Sequence, residues 1–178
     1  MRIISGKYKG RVLKGFEING TRPTMDRVKE SVFAMIQNQI KDSICLDLFA
    51  GSGNLGIEAL SNGAKECTFV DSNKIAVTTI QKNCELCKIG ESYHVYVMDF
   101  KNALKLFSKE GKKFDLIFLD PPYHENLITP TLKLIDQYQL LKENGLVICE
   151  FEKEQIKSPF FLIKEKTYGS KTIYIYQK

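Results

Sequence analysis

The sequence predicts an α/β fold in which helices cover both faces of a mostly parallel sheet. Apolar, strand-like runs alternate with amphipathic helical patterns through most of the 178 residues, and strands joined by helices form parallel sheets with right-handed crossovers. A glycine-rich turn follows the first long apolar run and leads into a helix. No helical pattern separates the last two strand-like runs, so one antiparallel strand is expected in the sheet.

The first 40 residues predict a small β-hairpin and one helix. Residues 2–13 read as two short strands around a turn at Gly6. Thr24 is a suitable N-cap for a helix over about residues 25–40. The apolar stripe that would bury this helix consists of Val28, Val32, Phe33, Ile36 and Ile40.

From residue 44 onward, strands and helices alternate. The predicted strands are residues 44–49, 68–70, 95–98, 114–119, 146–149, 160–163 and 172–176. The predicted helices are residues 55–62, 74–88, 101–109 and 127–142. In open sheets of this kind, ligands bind beyond the carboxyl ends of the strands. Three successive strands end near an acid, which predicts a binding crevice lined by Asp71, Asp99 and Asp120.

Composition limits the class of protein. The chain is 43% hydrophobic and 26% charged, and a chain of this length forms a core without disulfides or structural metal. We treat residues 1–178 as one domain, with a basic hairpin at residues 1–20 and a catalytic core at residues 21–178. No apolar run approaches the ~20 residues of a membrane-spanning helix, and the N-terminus lacks an apolar signal segment. The expected location is the cytoplasm.

The five cysteines are expected to be buried, reduced thiols. Their number is odd, and three of them lie in or beside strand-like runs. Cys84 and Cys87 have zinc-like spacing, but a zinc site needs two further ligands. The only histidines, His94 and His124, are isolated in the sequence. We therefore predict no metal site.

Positive charge is concentrated at the N-terminus. The net charge is +5, and a basic block at one end of a chain favours a polyanionic partner such as RNA. A solvated lysine-rich surface is the alternative. The candidate RNA-binding residues are Arg2, Lys7, Lys9, Arg11, Lys14 and Arg22.

A Gly-x-Gly-x-x-Gly motif, formed by Gly51, Gly53 and Gly56, follows the first long strand and opens a helix. Glycines at these positions let the backbone turn tightly and approach a ligand. Asp71 lies at the end of the next strand, where an acid accepts hydrogen bonds from ribose hydroxyls. Both NAD and S-adenosylmethionine (SAM) contain such a ribose, so the motif fits either cofactor.

The two cofactors differ in the charge that they bring to the glycine turn. NAD places a pyrophosphate at the helix N-terminus, whereas SAM brings an ammonium and a carboxylate. Asp47 is suited to accept from the ammonium, residues 21–24 to donate to the carboxylate, and Asp99 to accept from the adenine amine beside Phe100. The candidate cofactor site comprises Thr24, Asp47, Phe49, Gly51, Ser52, Gly53, Asp71, Asp99 and Phe100.

Asp120, Pro121, Pro122 and Tyr123 directly follow the apolar run at residues 114–119 and are the candidate catalytic residues. The exocyclic amine of a nucleobase is a poor nucleophile, because its lone pair is delocalised into the ring. Asp120 and the carbonyl of Pro121 are suited to hold both amine hydrogens on a backbone that the prolines make rigid. Tyr123 is suited to stack on the base. This arrangement predicts SAM-dependent methylation of a base amine.

These residues leave the target base open. The same four residues serve the N2 amine of guanine and the N6 amine of adenine. Adenine enzymes that act on DNA usually need a further target-reading domain, for which no segment is available. An NAD-binding oxidoreductase would need a separate substrate domain, and a non-catalytic RNA-binding module would leave the three strand-end acids unexplained.

The chain resembles the bacterial small-subunit ribosomal RNA guanine-N2 methyltransferases, the RsmD family, over nearly its whole length. The resemblance is carried by residues 2–11, 21–24, 26–30, 47–53 and 118–123. It implies a class I methyltransferase (Rossmann-like) fold, SAM as the methyl donor, and 16S rRNA as the substrate, modified at the N2 amine of guanine 966. It also implies that the N-terminal hairpin grips RNA, within the small ribosomal subunit or its precursor. We expect a monomer.

Overall fold

The computed structural model describes residues 1–15, 23–122 and 125–178, with the backbone alone at residues 23–25. The helices of this described part are α1 (Pro23–Ile40), α2 (Asn54–Ser61), α3 (Lys74–Cys87), α4 (Phe100–Lys109) and α5 (Ile128–Gln137). Its strands are β1 (Ile44–Asp47), β2 (Glu66–Asp71), β3 (Tyr93–Val97), β4 (Phe114–Leu119), β5 (Leu141–Phe151), β6 (Phe161–Tyr168) and β7 (Lys171–Gln177). No helix of the described residues is long and apolar enough to cross a membrane.

The strands form one sheet in the order β3-β2-β1-β4-β5-β7-β6. Strands β1 to β5 pair in parallel, and β7 runs antiparallel to both of its neighbours, β5 and β6. The predicted α/β sheet with an antiparallel strand is confirmed. The chain extends outward from β1 through β2 and β3, then returns to the other side of β1 with β4. Ligands of open α/β sheets bind at such a reversal of strand order.

Each face of the sheet carries its own apolar cluster. Helices α1, α2 and α3 and the N-terminal segment cover one face, which we call the α1 face. Helices α4 and α5 cover the other. The predicted apolar stripe of α1 is buried. All five cysteines are free and buried, as expected.

The predicted N-terminal hairpin is wrong in detail. It is reduced to an isolated bridge between Arg2 and Val12, supported by backbone hydrogen bonds such as Ile3 N–H to Arg11 O at 2.9 Å. Turns and bends occupy residues 5–10, so too few residues remain for a ladder. The backbone of this segment is bonded to α2 instead, as described below.

The helix predicted at residues 127–142 ends at Gln137. The helix stops because Gln139 has a left-handed φ of 51°. No neighbouring glycine or proline in the sequence predicts this conformation. The chain then enters β5 at Leu141, five residues before the predicted start of that strand. The long β5 extends to Phe151, so the sheet carries Glu150 to the carboxyl edge.

Candidate active site

Five charged side chains lie along the carboxyl edge of the sheet, on the α1 face. Cys45, Phe69, Phe118, Ile148 and Ile173 all pack in the cluster of that face. Side chains alternate between the two faces of a strand, so residues two positions away share a face. Two positions towards the carboxyl edge from each of these stand Asp47, Asp71, Asp120, Glu150 and Lys171. We call these five residues the acidic row.

The glycine turn connects β1 to α2 beside the acidic row. Gly51 and Gly53 have left-handed φ values of 54° and 83°, which side chains disfavour. The N–H of Gly51 donates to Asp71 Oδ2 at 2.8 Å, and the N–H of Gly56 donates to Asp47 Oδ2 at 2.9 Å. Two strand-end carboxylates therefore hold the turn in place.

Gly56 brings α2 close to the sheet. A Cβ atom at this position would lie 2.3 Å from Cε1 of Phe69 and 2.6 Å from Sγ of Cys67, closer than van der Waals contact allows. Only glycine lets the first turn of α2 pack so tightly on β2. The third glycine of the motif is therefore a packing residue.

Asp47 is the most deeply buried carboxyl of the turn region, with 1% of its surface exposed. Burial raises the pKa of Asp47 to about 7; the charge of Asp71 adds to the rise and the N–H of Gly56 opposes it. Its hydrogen bond to Gly56 leaves acceptor capacity on the carboxyl group. A cation placed beside Asp47 would favour its ionised form.

Asp71 lies at the end of β2 with both carboxylate oxygens engaged by backbone. Oδ1 accepts from the N–H of Asn73 at 2.8 Å, and Oδ2 accepts from Gly51. Each carboxylate oxygen has two lone pairs. Asp71 thus retains capacity to accept from ligand hydroxyls while its position is fixed.

Asp99 and Phe100 lie at the start of α4. Asp99 is the N-cap of this helix and accepts from the N–H groups of Lys101 and Asn102 and from the side chain of Asn102. The N–H of Asn102 is the largest cause that holds the pKa of Asp99 below its usual range. A ligand amine at Asp99 would have to share the carboxylate with the cap. The ring of Phe100 lies 5.5 Å from that of Phe49, so the two predicted aromatic residues form one apolar surface.

Asp120 follows β4 and lies between Asp47 and Glu150 in the acidic row. Burial, then the charge of Glu150, raises the pKa of Asp120 well above its usual range. Among the described residues, the Asp120 side chain has no hydrogen-bond or ion-pair partner. Pro121 is buried and Pro122 is exposed. Tyr123 lies outside the described residues, so its predicted stacking role stays a prediction.

One residue of the predicted cofactor set, Ser52, faces away from the candidate cofactor site. The hydroxyl of Ser52 donates to Sδ of Met1 at 3.4 Å, so it faces the N-terminal segment. Arg22 and the side chain of Thr24 lie outside the described residues. Ser52 supports the segment, and the roles predicted for Arg22 and Thr24 stay predictions.

The basic N-terminal side chains are mostly exposed. The cationic groups of Lys7 and Arg11 each lie 5.4 Å from the centroid of the Tyr8 ring, within cation–π range. Arg2 makes a long contact of 3.8 Å with Asp26. Lys9 and Lys14 are exposed. A groove of about 330 Å³ lies between this segment and α1, away from the acidic row, and is lined by Arg2, Ile3, Ile4, Lys9, Gly10, Asp26, Arg27 and Glu30.

Sequence reasoning missed a buried ion pair that fastens the basic segment to the core. Lys29 Nζ lies 2.8 Å from Glu58 Oε2, with 2% and 0% of the two side chains exposed. The ammonium also donates to the carbonyl of Arg2 and to Asn54 Oδ1, both at 2.7 Å. The Glu58 carboxylate accepts from the N–H groups of Ile4 and Ser5. Glu58 stands among apolar residues of a short helix, a signal that would have revealed it.

A second missed pair lies at the end of the acidic row. Lys171 Nζ donates to Glu150 Oε1, and 16% and 13% of the two side chains are exposed. Glu150 could have been found by the rule that identified Asp120, since both stand near the end of a parallel strand. Nothing in the local sequence marks Lys171, because its place depends on the antiparallel register of β7.

The charge of the acidic row distinguishes between SAM and NAD as the cofactor. Four carboxyl groups and one lysine make the carboxyl edge acidic, with Asp47 and Asp71 directly against the glycine turn. A pyrophosphate at this turn would face two carboxyl groups, which repel it. A cationic ligand is attracted instead. The residues present therefore fit SAM, which carries a sulfonium and an ammonium, better than NAD.

Comparisons with known proteins agree with this conclusion. A family model described as Conserved hypothetical protein 95 matches residues 1–177. Ribosomal RNA small subunit methyltransferase D of Haemophilus influenzae is 40% identical over 181 residues, covering 99% of this chain and 93% of that protein. The protein of the same name from Escherichia coli K12 is 33% identical over 182 residues, covering 100% and 90%.

Solved structures show the same fold. The Escherichia coli protein yhhF superimposes with a TM-score of 0.86 at 32% identity, over 100% of this chain and 97% of that one. The Thermus thermophilus 16S rRNA N2 G1207 methyltransferase RsmC, solved with AdoMet and guanosine, gives a TM-score of 0.72 at 19% identity, over 92% and 45%. The class I methyltransferase fold is thus confirmed. Because the matches extend over the whole chain, the protein belongs to the ribosomal RNA small subunit methyltransferase D (RsmD) family.

Proposed function

We propose that the protein uses SAM to methylate the exocyclic N2 amine of a guanine in 16S ribosomal RNA. Family membership supports SAM-dependent methylation of rRNA. The observation that carries the proposal is the position of Asp120, a carboxyl without a described partner, in the same acidic row as the carboxylates that hold the glycine turn. An acceptor in this position beside the glycine turn supports our assignment of Asp120 as the group that holds the amine.

The residues of the turn would hold the cofactor. SAM supplies a methyl group that positive sulfur has already activated. Asp47 would accept from its ammonium and Asp71 from its ribose hydroxyls, while Phe49 and Phe100 offer an apolar surface to the adenine. The left-handed Gly51 and Gly53 leave room for close approach to the backbone.

Asp120 and the carbonyl of Pro121 would hold the two hydrogens of the guanine amine. This orients the lone pair towards the methyl group, and Tyr123 would stack on a base drawn out of its helix or loop. No strong base is needed, since the electrophile is already activated. Placement of the two reactants can lower the barrier by roughly 7–11 kcal/mol.

The same proposal names the wider context. The RNA site is guanine 966, as the family resemblance implies, and the substrate is 16S rRNA within the small subunit or its precursor. The protein acts in the cytoplasm as a monomer and as one domain, with residues 1–20 on the RNA. The adenine N6 alternative shares the chemistry of Asp120 and is decided by the product.

The direct test is methyl transfer from labelled SAM to 16S rRNA and to small subunits that lack the modification. Digestion to nucleosides is expected to give labelled N2-methylguanosine, and mapping is expected to locate it at position 966. Labelled N6-methyladenosine would replace our assignment with the adenine alternative. Calorimetric titration with NAD serves as the control and should give no binding.

Cofactor affinity should depend on pH through Asp47. Its pKa is raised to about 7 in the free protein by burial, and an ammonium beside it lowers that pKa, so binding releases a proton. The dissociation constant for SAM is expected to fall by about tenfold per unit as pH rises from 5.5 to 7, then to level off. Without SAM the sign is opposite: the contribution of this carboxyl to folding stability falls as pH rises from about 4 to 7.

Calorimetry across this pH range measures the effect. Asp47→Asn cannot titrate, so we expect it to bind SAM weakly and with a flatter pH dependence. An unchanged affinity for SAM in Asp47→Asn would remove this residue from the cofactor site.

The basic segment should contribute salt-dependent RNA affinity. Replacing Lys7 and Arg11 with alanine removes two cations held over Tyr8. We expect the slope of log K against log salt concentration to lose about 1.4–1.8 units if both contact phosphates, with SAM affinity unchanged. Filter binding at several salt concentrations measures this slope. The matched control replaces Lys105 and Lys109, two exposed lysines of α4 on the other face, and an equal loss there would show that position is irrelevant.

A further inference from the structure

The Glu150–Lys171 pair lies directly beside the proposed catalytic carboxylate. Leu119 of β4 pairs in register with Cys149 of β5, so the next residues, Asp120 and Glu150, are neighbours at the carboxyl edge. Glu150 stands opposite Ile173 of β7. Lys171 is the diagonal neighbour two positions away, which a long side chain can reach, and its ammonium is bonded to Glu150.

The described charged groups around Asp120 act on it with opposite signs. Glu150 from β5 and Asp47 from β1 raise the pKa of Asp120, whereas Lys171 from β7 lowers it. Helix α1 covers the same face with an apolar stripe, and its buried cation, Lys29, is bonded to Glu58. Within the part of the chain that the structure describes, Lys171 is therefore the cation that acts on the Asp120 carboxyl.

We propose that Glu150 and Lys171 are positioning residues for methyl transfer, a charge pair in which Lys171 opposes the negative charge of Glu150 beside Asp120, so that Asp120 can ionise when the base amine binds and stays directed at that amine. This inference rests on the proposed function. Neither residue needs to touch the substrate. Glu150 fixes the ammonium of Lys171 at a distance from Asp120, so that Asp120 benefits from the positive charge without forming the ion pair itself and stays open to the amine.

The Glu150–Lys171 pair also influences how Asp120 stabilises the positive charge that develops on the amine during the reaction. Transfer breaks the sulfur–methyl bond and forms a nitrogen–methyl bond, and the positive charge passes from sulfur to the amine. The amine then loses one proton, so the products are the neutral thioether, the methylated base and a proton. An ionised Asp120 in hydrogen-bond contact stabilises the positive amine and can accept this proton.

The two single substitutions in the pair should shift the pKa of Asp120 in opposite directions. Lys171→Met removes the cation that lies beside Glu150 and lowers the pKa of Asp120, and two neighbouring carboxyl groups resist ionising together. The acidic limb of the kcat–pH profile is then expected to move up by about one unit, so that the rate on that limb falls about tenfold and recovers at higher pH. Glu150→Gln removes the anion that raises the pKa of Asp120 and that holds Lys171 at a distance from it, which moves the limb down and lowers kcat at its optimum.

Two further variants make the test specific. The double variant Glu150→Gln/Lys171→Met removes both charges, so its acidic limb should return to within a few tenths of a unit of the original. Lys171→Arg keeps the cation and should keep the profile. A purely structural pair would instead lower kcat in both single variants at every pH, without moving the limb, and this result would overturn the proposal.

A second readout does not depend on catalysis. The carboxyl of Asp120 can be titrated by carbon-13 NMR in the RNA-free protein, in wild type and in each variant that keeps the native circular dichroism spectrum. Opposite shifts in the two single variants support the pair. Identical Asp120 titration curves in wild type and both single variants would rule out the proposed role of the pair, even if methyl transfer is observed. A wild type that titrates as described but never methylates rRNA contradicts the proposed function instead.

Discussion

Asp120→Ala is expected to lower kcat for methyl transfer by roughly 10²–10³-fold, the effect of removing one preorganised polar group from an active site. The amine would lose an acceptor that fixes its orientation, while SAM affinity should change little. Stability should be unchanged or higher, because the variant removes a half-buried carboxyl whose pKa is raised by desolvation. Loss of activity without loss of stability identifies residues kept for function.

Single-turnover assays, calorimetry with SAM and thermal unfolding measure these three quantities on the same protein. Asp120→Asn keeps a carbonyl acceptor and should retain more activity than the alanine variant. The matched control is Asp136→Ala, an acid of α5 on the opposite face, which should retain full activity. If Asp120→Ala transferred methyl groups at the normal rate with normal SAM affinity, the mechanism would be wrong.

Lys29→Met is expected to destabilise the protein by about 3–5 kcal/mol, because it leaves the Glu58 carboxylate buried without its counter-charge. The ammonium of Lys29 bonds Glu58, Asn54 and the carbonyl of Arg2. Losing it should also loosen the segment that carries the basic residues. RNA affinity is therefore expected to fall together with stability, while the acidic row is untouched.

Urea unfolding at fixed pH measures the free energy of unfolding of each variant. The double variant Lys29→Met/Glu58→Gln removes the unpaired charge, so it should lose less than the sum of the two single variants. Arg27→Met on the exposed side of α1 is the control, expected within about 0.5 kcal/mol of wild type. A Lys29→Met protein as stable as the control would show that the ion pair contributes nothing.

Much of the fold could be predicted because its signals are local. The apolar run at β4 and the stripe of α1 are periodic patterns that burial requires. The end of α5 could not be predicted in the same way, since Gln139 adopts its left-handed conformation without glycine, proline or asparagine. The N-terminal hairpin is shorter than predicted, a single antiparallel bridge, because the Glu58 side chain of α2 accepts from the backbone of Ile4 and Ser5.

The candidate site was also partly predictable. Asp71 and Asp120 follow from one rule, that parallel strands bring their carboxyl ends to one edge, and Asp47 was assigned from the ammonium group of SAM. Sequence position did not predict which contact each side chain makes. Asp99 caps a helix, and Ser52 donates to Met1. Such assignments depend on which donor lies nearest in space.

The sequence by itself determined the alternation of strands and helices, the acids at the strand ends and the concentration of positive charge near residue 1, because each of these is a property of neighbouring residues. Only the tertiary structure decided how the charges are paired. Helix packing brings Lys29 into contact with Glu58, and the register of β7 brings Lys171 into contact with Glu150. A charge is stable in the interior only beside its partner, so it is the three-dimensional arrangement that pairs these groups and places Asp120 in the acidic row.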